Sequence, residues 1–398
     1  MRSWAAGVGH QLALGVAAGI IAGCSSAAFL HGLSWATRTR LREPRLLWLL
    51  PVAGLAIGFV YEHLGGRAAG GNTMIFAEIH EPSRFLPRRM APLVLVSSVA
   101  THLFGGSAGR EGVAVQMTAG FSDLLPRWLR WTPAGRRGVL IIAIAGGFGA
   151  VFGTPIAGTV FALEVPTTGR WRTDRLLGCL TAALVGDRVT RALGVHHPTY
   201  PAFPHAAASL PTLGRCALIG VGCGVVALAF VWLTEQIRLL ARRIAWAPLR
   251  PAVGGLTVIA MVGLVGNRDY LGLSGTLTSA ALAGASIASF AFAGKLVFTA
   301  VTLGSGFQGG EVTPLFVIGT TFAAAAGPHI GLPAGVAAAV GFSATFAAAA
   351  NTPITCTVLA AELFGSAVLP FAAVACVVAF ACSTRRSIYA AQRWALTP

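Results

Sequence analysis

In a chain otherwise crowded with Leu, Val, Ala and Gly, a few charged side chains stand where charge is expensive. Leu271 to Thr384 carries three formal charges, Lys295, Glu311 and Glu362, and Val139 to Val165 carries one, Glu164. An ionised group at mid-bilayer costs roughly 2.5–3.5 kcal/mol on insertion scales, so such groups mark an ion or proton pathway unless they lock helix packing. Glu164 and Glu362 each close an apolar stretch that opens on a Thr-Pro pair. They read as structural, holding backbone amides of a neighbouring segment. Lys295 reads either as a snorkelling interfacial lysine or as the partner of Glu311. Glu111 and Glu311 differ, because each stands in a glycine-rich turn that opens a new apolar segment. A helix N-terminus presents unpaired N–H groups and partial positive charge, which make an anion site without a fixed cation. A carboxylate there competes with the anion and leaves on protonation. One residue can thus couple anion movement to proton movement.

The elements that carry these groups are apolar. The chain has 398 residues, 55% hydrophobic and 11% charged, with a mean hydropathy of +0.73. That is less than half the charge usual in soluble domains, which excludes an ordinary soluble enzyme. The apolar runs exclude disorder, and 50 glycines without a three-residue period exclude collagen. The formal net charge is +16. Its arginines cluster between apolar runs, at Arg38–Arg45, Arg84–Arg89, Arg127–Arg137, Arg170–Arg175 and Arg238–Arg250. That is the pattern of loops facing anionic headgroups rather than of nucleic-acid binding. Seven cysteines, without a CxxC spacing, read as buried free thiols. No metal and no other cofactor is expected: His80-Glu81 lacks HExxH spacing, and His196-His197 reads as a loop.

A span needs about 20 apolar residues. Candidate segments fall near 11–33, 46–64, 91–107, 138–165, 176–194, 212–237, 252–266, 276–304, 313–326, 331–349 and 352–381. Many are too long or too short for one clean span, and Gly or Pro interrupts several. Broken helices are tolerated only where protein buries the freed backbone or a watery cavity lines it. The fold class is therefore all-α, a polytopic membrane protein of tilted, broken helices.

Landmarks repeat along the chain. Gly106-Ser-Ala-Gly-Arg-Glu111-Gly precedes Thr154-Pro155 and Glu164, while Gly306-Phe-Gln-Gly-Gly-Glu311-Val precedes Thr352-Pro353 and Glu362. The glutamates of the two turns are 200 residues apart, and the prolines and the later glutamates are each 198 apart. Interrupted segments at matching places in two halves point to a transporter site at a repeat interface. Small residues alone would explain close helix packing, but not glutamates in matching places. The chain reads as one transmembrane transport domain, residues 1–398, with repeats near 8–195 and 210–398.

Gly109-Arg-Glu111-Gly112, Gly310-Glu311-Val312-Thr313-Pro314 and Tyr389 in Arg386-Ser-Ile-Tyr389 together resemble the CLC family of anion channels and proton-coupled antiporters. The resemblance covers nearly the whole chain. It implies inverted-topology repeats, a gating and proton-coupling role for Glu111, and an inner tyrosine at Tyr389. It also implies anion contacts from Gly109, Arg110, Gly112, Gly310, Glu311, Val312 and Thr313. Three departures indicate the branch. Chloride-type members read GSGIP in their first motif, whereas this chain reads Gly71-Asn72-Thr73-Met74-Ile75. Asn72 falls at the serine position and Met74 lies close by, the two exchanged by one gap. The third motif is GEVTP in place of GxFxP, and Val165 stands where chloride/proton exchangers carry a second glutamate. All three resemble the fluoride-exporting branch. The resemblance therefore implies a homodimer, multi-pass in the cell (inner) membrane, exporting fluoride as protons enter. It leaves no room for a cytosolic regulatory domain before Pro398.

Within the family, the alternative is a chloride/proton exchanger or a passive chloride channel. From the enzyme class, Gly106-Ser107-Ala-Gly109 suggests an intramembrane serine protease with His102 or His329 as base, which requires nucleophile and base within hydrogen-bond distance. A scaffold would leave both glutamates unexplained.

Overall fold

The computed structural model describes residues 2–128, 132–204, 208–383 and 385–395. Seventeen α-helices are seen among them. The first half contains α1 (Arg2–Arg42), α2 (Leu50–Val60), α3 (Gly71–His80), α4 (Met90–Leu103), α5 (Glu111–Ser122), the short α6 (Leu124–Trp128), α7 (Pro133–Phe152), α8 (Pro155–Glu164) and α9 (Leu176–Ala192). The second contains α10 (Leu210–Arg242), α11 (Leu249–Val265), α12 (Gly275–Leu282), α13 (Ala291–Gly304), α14 (Val312–Ala326), α15 (Ala334–Ala350), α16 (Pro353–Phe364) and α17 (Leu369–Ala381). A two-stranded parallel ladder pairs Thr167–Thr168 with Arg393–Trp394 near the chain end.

Several stretches that read as single apolar segments are two helices. Segment 138–165 divides between α7 and α8, 276–304 between α12 and α13, and 352–381 between α16 and α17. The breaks follow local chemistry. α7 ends on Gly153 at φ +73°, and α15 ends on Asn351 at φ +54°, the left-handed conformation that Gly and Asn accept most readily. Thr-Pro follows in both cases, and proline at the first helical position starts the next helix. At the N-terminus the opposite holds, since segment 11–33 belongs to a 41-residue helix.

The same packings occur in both halves. α1 lies against α7 and α9 as α10 lies against α15 and α17, and α4–α5 and α7–α8 recur as α13–α14 and α15–α16. Hydrocarbon is as apolar as leucine, so contact between such helices relies on close van der Waals packing. Gly15, Gly19 and Gly23 line α1 at four-residue intervals, and a Cβ on each would stand 2.8–2.9 Å from a carbonyl oxygen of α9. Between the halves, phenyl rings fill the centre: Phe148 on Phe161 at 4.4 Å, Phe316 on Phe342 at 4.1 Å and Phe152 on Phe316 at 5.4 Å.

α8 and α16 join the halves reciprocally. Glu362, in the last turn of α16, accepts the first free amides of α8, Ile156 N at 3.0 Å and Ala157 N at 2.7 Å. Glu164, the last residue of α8, accepts Ile354 N at 3.1 Å and Thr355 N at 2.8 Å at the start of α16, and the Thr355 hydroxyl at 2.6 Å. Each helix end thus caps the other's beginning, so the pair runs antiparallel. Both glutamates hold a neighbour's amides, as their sequence context indicates. Orphaning buried donors costs about 1–3 kcal/mol each. Glu164→Ala and Glu362→Ala should therefore each lower the unfolding temperature in detergent by several degrees, Glu164→Ala more because it loses a third bond. Unchanged midpoints in thermal melts would show that the caps do not hold the halves together.

Candidate functional site

The two glycine-rich turns meet. Gly109 and Gly310 form an isolated antiparallel bridge, Gly109 N donating to Gly310 O at 2.6 Å and Gly310 N to Gly109 O at 2.8 Å. Side chains would crowd the turns, at Gly109 most of all. A Cβ on Gly109 would lie 2.7 Å from Pro314 Cδ, and one on Gly310 3.1 Å from the amides of Arg110 and Glu111. The bridge sets α5 and α14, which begin immediately after the two turns, with their N-termini together.

Glu111, the first residue of α5, is 1% exposed. Its carboxylate accepts Thr313 N at 2.9 Å, the Thr313 hydroxyl, and Arg110 N at 3.2 Å, with Arg110 Nε at 3.4 Å. Thr313 is the second residue of α14, so the carboxylate lies on that helix's free amides, where an anion would bind. Protonation removes the charge these donors hold. The same N–H and O–H groups can then take one small anion.

Beside the carboxylate lies a cavity of ≈ 10 Å³, lined by Asn72, Phe76, Glu111, Gly112, Val115, Phe148, Phe161 and Tyr389. It has room for about one water-sized species. Asn72 Nδ2 approaches Gly112 so closely that a Cβ there would lie at 2.8 Å, and Asn72 Oδ1 is buried without a partner. Met74 does not line this cavity; it packs against the apolar core beside Gly70. Tyr389 is buried, its ring edge-on to Phe76 at 5.1 Å and to Phe161 at 6.2 Å.

A wider cavity of ≈ 540 Å³ is lined by Arg110, Arg38, His31, His196 and residues of α1 and the loop after α9. Its described lining residues include no carboxylate, and they form a cationic vestibule. Burial, and then the nearby cations of Arg110 and Arg191, lower His197 in the same loop to about 4. That imidazole stays neutral at physiological pH.

Two further residues do not line the cavity beside Glu111. Val312 is buried in the first turn of α14, and Glu311 caps that helix with its backbone while its side chain makes no capping hydrogen bond. Lys295 is not its partner, nor does it snorkel. Fully buried, its Nζ donates to Ser107 Oγ at 2.9 Å, Gly272 O at 2.6 Å and Tyr270 O at 3.2 Å. A lysine of the second half thereby braces the turn that leads into Glu111. The arrangement also disposes of the protease reading. The two ring nitrogens of His102 contact the Ser98 and Ala108 carbonyls, and Ser107 Oγ bonds to Lys295 and Thr299.

Sequence reading missed the anchor of α3, the helix that presents Asn72. Arg136 of α7 donates to Asp123 at 2.6 Å and to Glu78 at 2.9 Å, and Glu78 also accepts Arg67 at 2.6 Å and Ser83 N at 2.8 Å. Buried ions persist only when paired and hydrogen-bonded. Glu78 within the apolar run of α3 was the available signal.

A family model described as voltage gated chloride channel matches residues 53–384. The chain is 42% identical over 395 residues to the "Chloride/fluoride channel protein" of Pseudomonas syringae pv. tomato, covering 97% of this chain and 87% of that one. It is 25% identical over 381 residues to the "H(+)/Cl(-) exchange transporter ClcA" of Yersinia pseudotuberculosis, covering 88% and 80%. The crystal structure of a CLC-type fluoride/proton antiporter superposes with a TM-score of 0.93 at 33% identity, covering 97% of this chain and 98% of that one. With the paired helix N-termini and their carboxylate at its centre, this chain belongs to the CLC family of voltage gated chloride channels and related transporters.

Proposed function

We propose that this integral membrane protein is a secondary transporter that exports fluoride in exchange for protons. The observation that carries the proposal is the Glu111 carboxylate seated on Thr313 and Arg110 donors at the N-terminus of α14. The similarity to a fluoride/proton antiporter and to a chloride/fluoride channel protein selects the ion. Glu111 is the gating and proton-coupling group. Asn72, Gly109, Arg110, Gly112, Gly310, Thr313 and Tyr389 surround the anion, and Glu311 offers a second carboxyl near its path. One domain of two inverted repeats forms the pathway, multi-pass in the cell's inner membrane, and two subunits associate.

The chemistry follows from what fluoride requires. It is small, hard and strongly hydrated, so a site must replace its water with close, strong donors. Thr313 N–H, its hydroxyl and Arg110 N–H stand around the carboxylate that the ion would replace, and the cavity beyond is water-sized. Fluoride also accepts hydrogen bonds from protonated carboxyls more strongly than chloride does. When Glu111 takes a proton from the vestibule, its hold on the α14 amides weakens and fluoride takes its place. When Glu111 returns its proton to the other side, the carboxylate reclaims the donors and displaces the ion.

Liposomes reconstituted with purified protein test this. Fluoride should leave as protons enter, with little chloride movement. Chloride leaving equally well would refute the fluoride assignment. Glu111→Gln should abolish proton coupling and most fluoride exchange, and undiminished coupled transport would remove Glu111 from its role. Asn72→Ser should lower the fluoride-to-chloride preference roughly fivefold, the worth of about one hydrogen bond of ~1 kcal/mol. An unchanged ratio would remove Asn72 from the selectivity site.

A further inference from the structure

We propose that Asn351, acting with Gln392, is the positioning residue for Tyr389: the two side-chain amides clamp the loop 386–392 so that the tyrosine ring closes the anion cavity. This rests on the exchange reading above.

Tyr389 lines the cavity together with Asn72 and Glu111, yet it stands in no helix or strand. Its loop runs between α17 and the strand Arg393–Trp394. The ring meets Phe76 of α3 at 5.1 Å and Phe161 of α8 at 6.2 Å. A wall carried by a loose loop would let a water-sized cavity widen. A wider cavity admits the ion with part of its hydration shell, and the ion then passes without trading places with the Glu111 carboxylate. The loop therefore has to be held from outside.

Asn351 holds it. This side chain is fully buried at the end of α15. Its Nδ2 donates to Arg386 O at 3.3 Å and to Gln392 Oε1 at 3.0 Å, and its Oδ1 accepts the Ser383 hydroxyl at 2.8 Å. Gln392 Nε2 in turn donates to Val165 O at 3.0 Å and Ala350 O at 2.9 Å. All four amide hydrogens of the pair are thus engaged, which makes a fully satisfied and specific network. Both ends of the loop return to one asparagine, with Tyr389 three residues from each. Val165 follows α8 and Ala350 ends α15, so the clamp ties the loop to one helix end from each half. Ile388 N adds a bond to Ala349 O at 2.9 Å, and Gln392 N one to Tyr389 O at 3.0 Å.

The backbone supports the same assignment. Asn351 sits at φ +54°, and Gly153, 198 residues earlier and likewise before Thr-Pro, sits at φ +73°. Glycine takes that conformation freely, whereas asparagine takes it against some steric resistance. A strained residue persists where its surroundings fix it. Here the fixing contacts are those of its own side chain with the Tyr389 loop.

The test measures fluoride efflux and proton uptake together in proteoliposomes, and amide hydrogen exchange across 386–392 in detergent. Asn351→Gly keeps the left-handed turn and removes the clamp. Exchange at 386–392 should quicken, and fluoride released per proton taken up should rise roughly fivefold, the population shift that loss of about one net hydrogen bond allows. In a Tyr389→Ala background the same substitution should change the ratio no further. Gln392→Leu removes the clamp from its other end and leaves the turn untouched, so it should reproduce both changes even where Asn351→Gly folds poorly. Wild-type coupling in the two clamp variants would overturn the role. So would a further loss of coupling in the Tyr389→Ala background, which would make Asn351 a residue of the frame alone. Wild-type vesicles that release fluoride without taking up protons would instead refute the exchange reading, and the positioning role with it.

Discussion

Two peptide hydrogen bonds between Gly109 and Gly310 set the terms for everything around them. They join turns 201 residues apart, and they place the N-termini of α5 and α14 near one carboxylate. A Cβ on Gly109 would collide with Pro314 and with the Gly310 carbonyl, so glycine is needed on that side of the bridge. The surrounding helices serve that contact. α4 and α13 lead into the turns, Lys295 braces one of them, and the phenyl cluster fills the space behind. A membrane interior gives no solvent to free N–H groups. Helices that stop inside the protein therefore have to find partners there.

The protein meets that demand in two ways with the same chemistry. At α8 and α16, carboxylates from the opposing helix ends satisfy the exposed amides, two backbone bonds each. These carboxylates are parts of the frame. At α14, the satisfying carboxylate is Glu111, the opening residue of α5 rather than the closing turn of an opposed helix. In the exchange proposed here, its side chain turns away and an anion takes the donors it leaves. One pair of helix beginnings is locked by the frame, and the other, in the proposed exchange, trades its carboxylate for an anion. The difference between scaffold and site is which residue brings the oxygen.

Much of this was legible in the residues. The repeated Thr-Pro pairs and the matching glutamates signalled the α8–α16 caps, because these depend on local chemistry, while the breaks themselves fell inside stretches that read as single apolar segments. The glycine-rich turns announced the site for the same reason. What sequence could not supply was which turn faces which group. Lys295 lies 16 residues before Glu311 in the chain, yet it points to Ser107 and to the loop around Gly272. Asn72 and Met74 could not be separated by pattern, and helix geometry separates them: Asn72 faces Gly112, and Met74 faces the core. The Arg136–Asp123–Glu78 network draws on three distant segments, and no spacing rule joins them.

The central claim is that a carboxylate and an anion share one set of donors. Calorimetry of fluoride binding in buffers of different ionisation enthalpy measures the protons taken up with each ion, the linkage between the two. The account predicts uptake of about one proton per fluoride bound near neutral pH, lost in Glu111→Gln. Fluoride binding that takes up no proton in the wild type would contradict it.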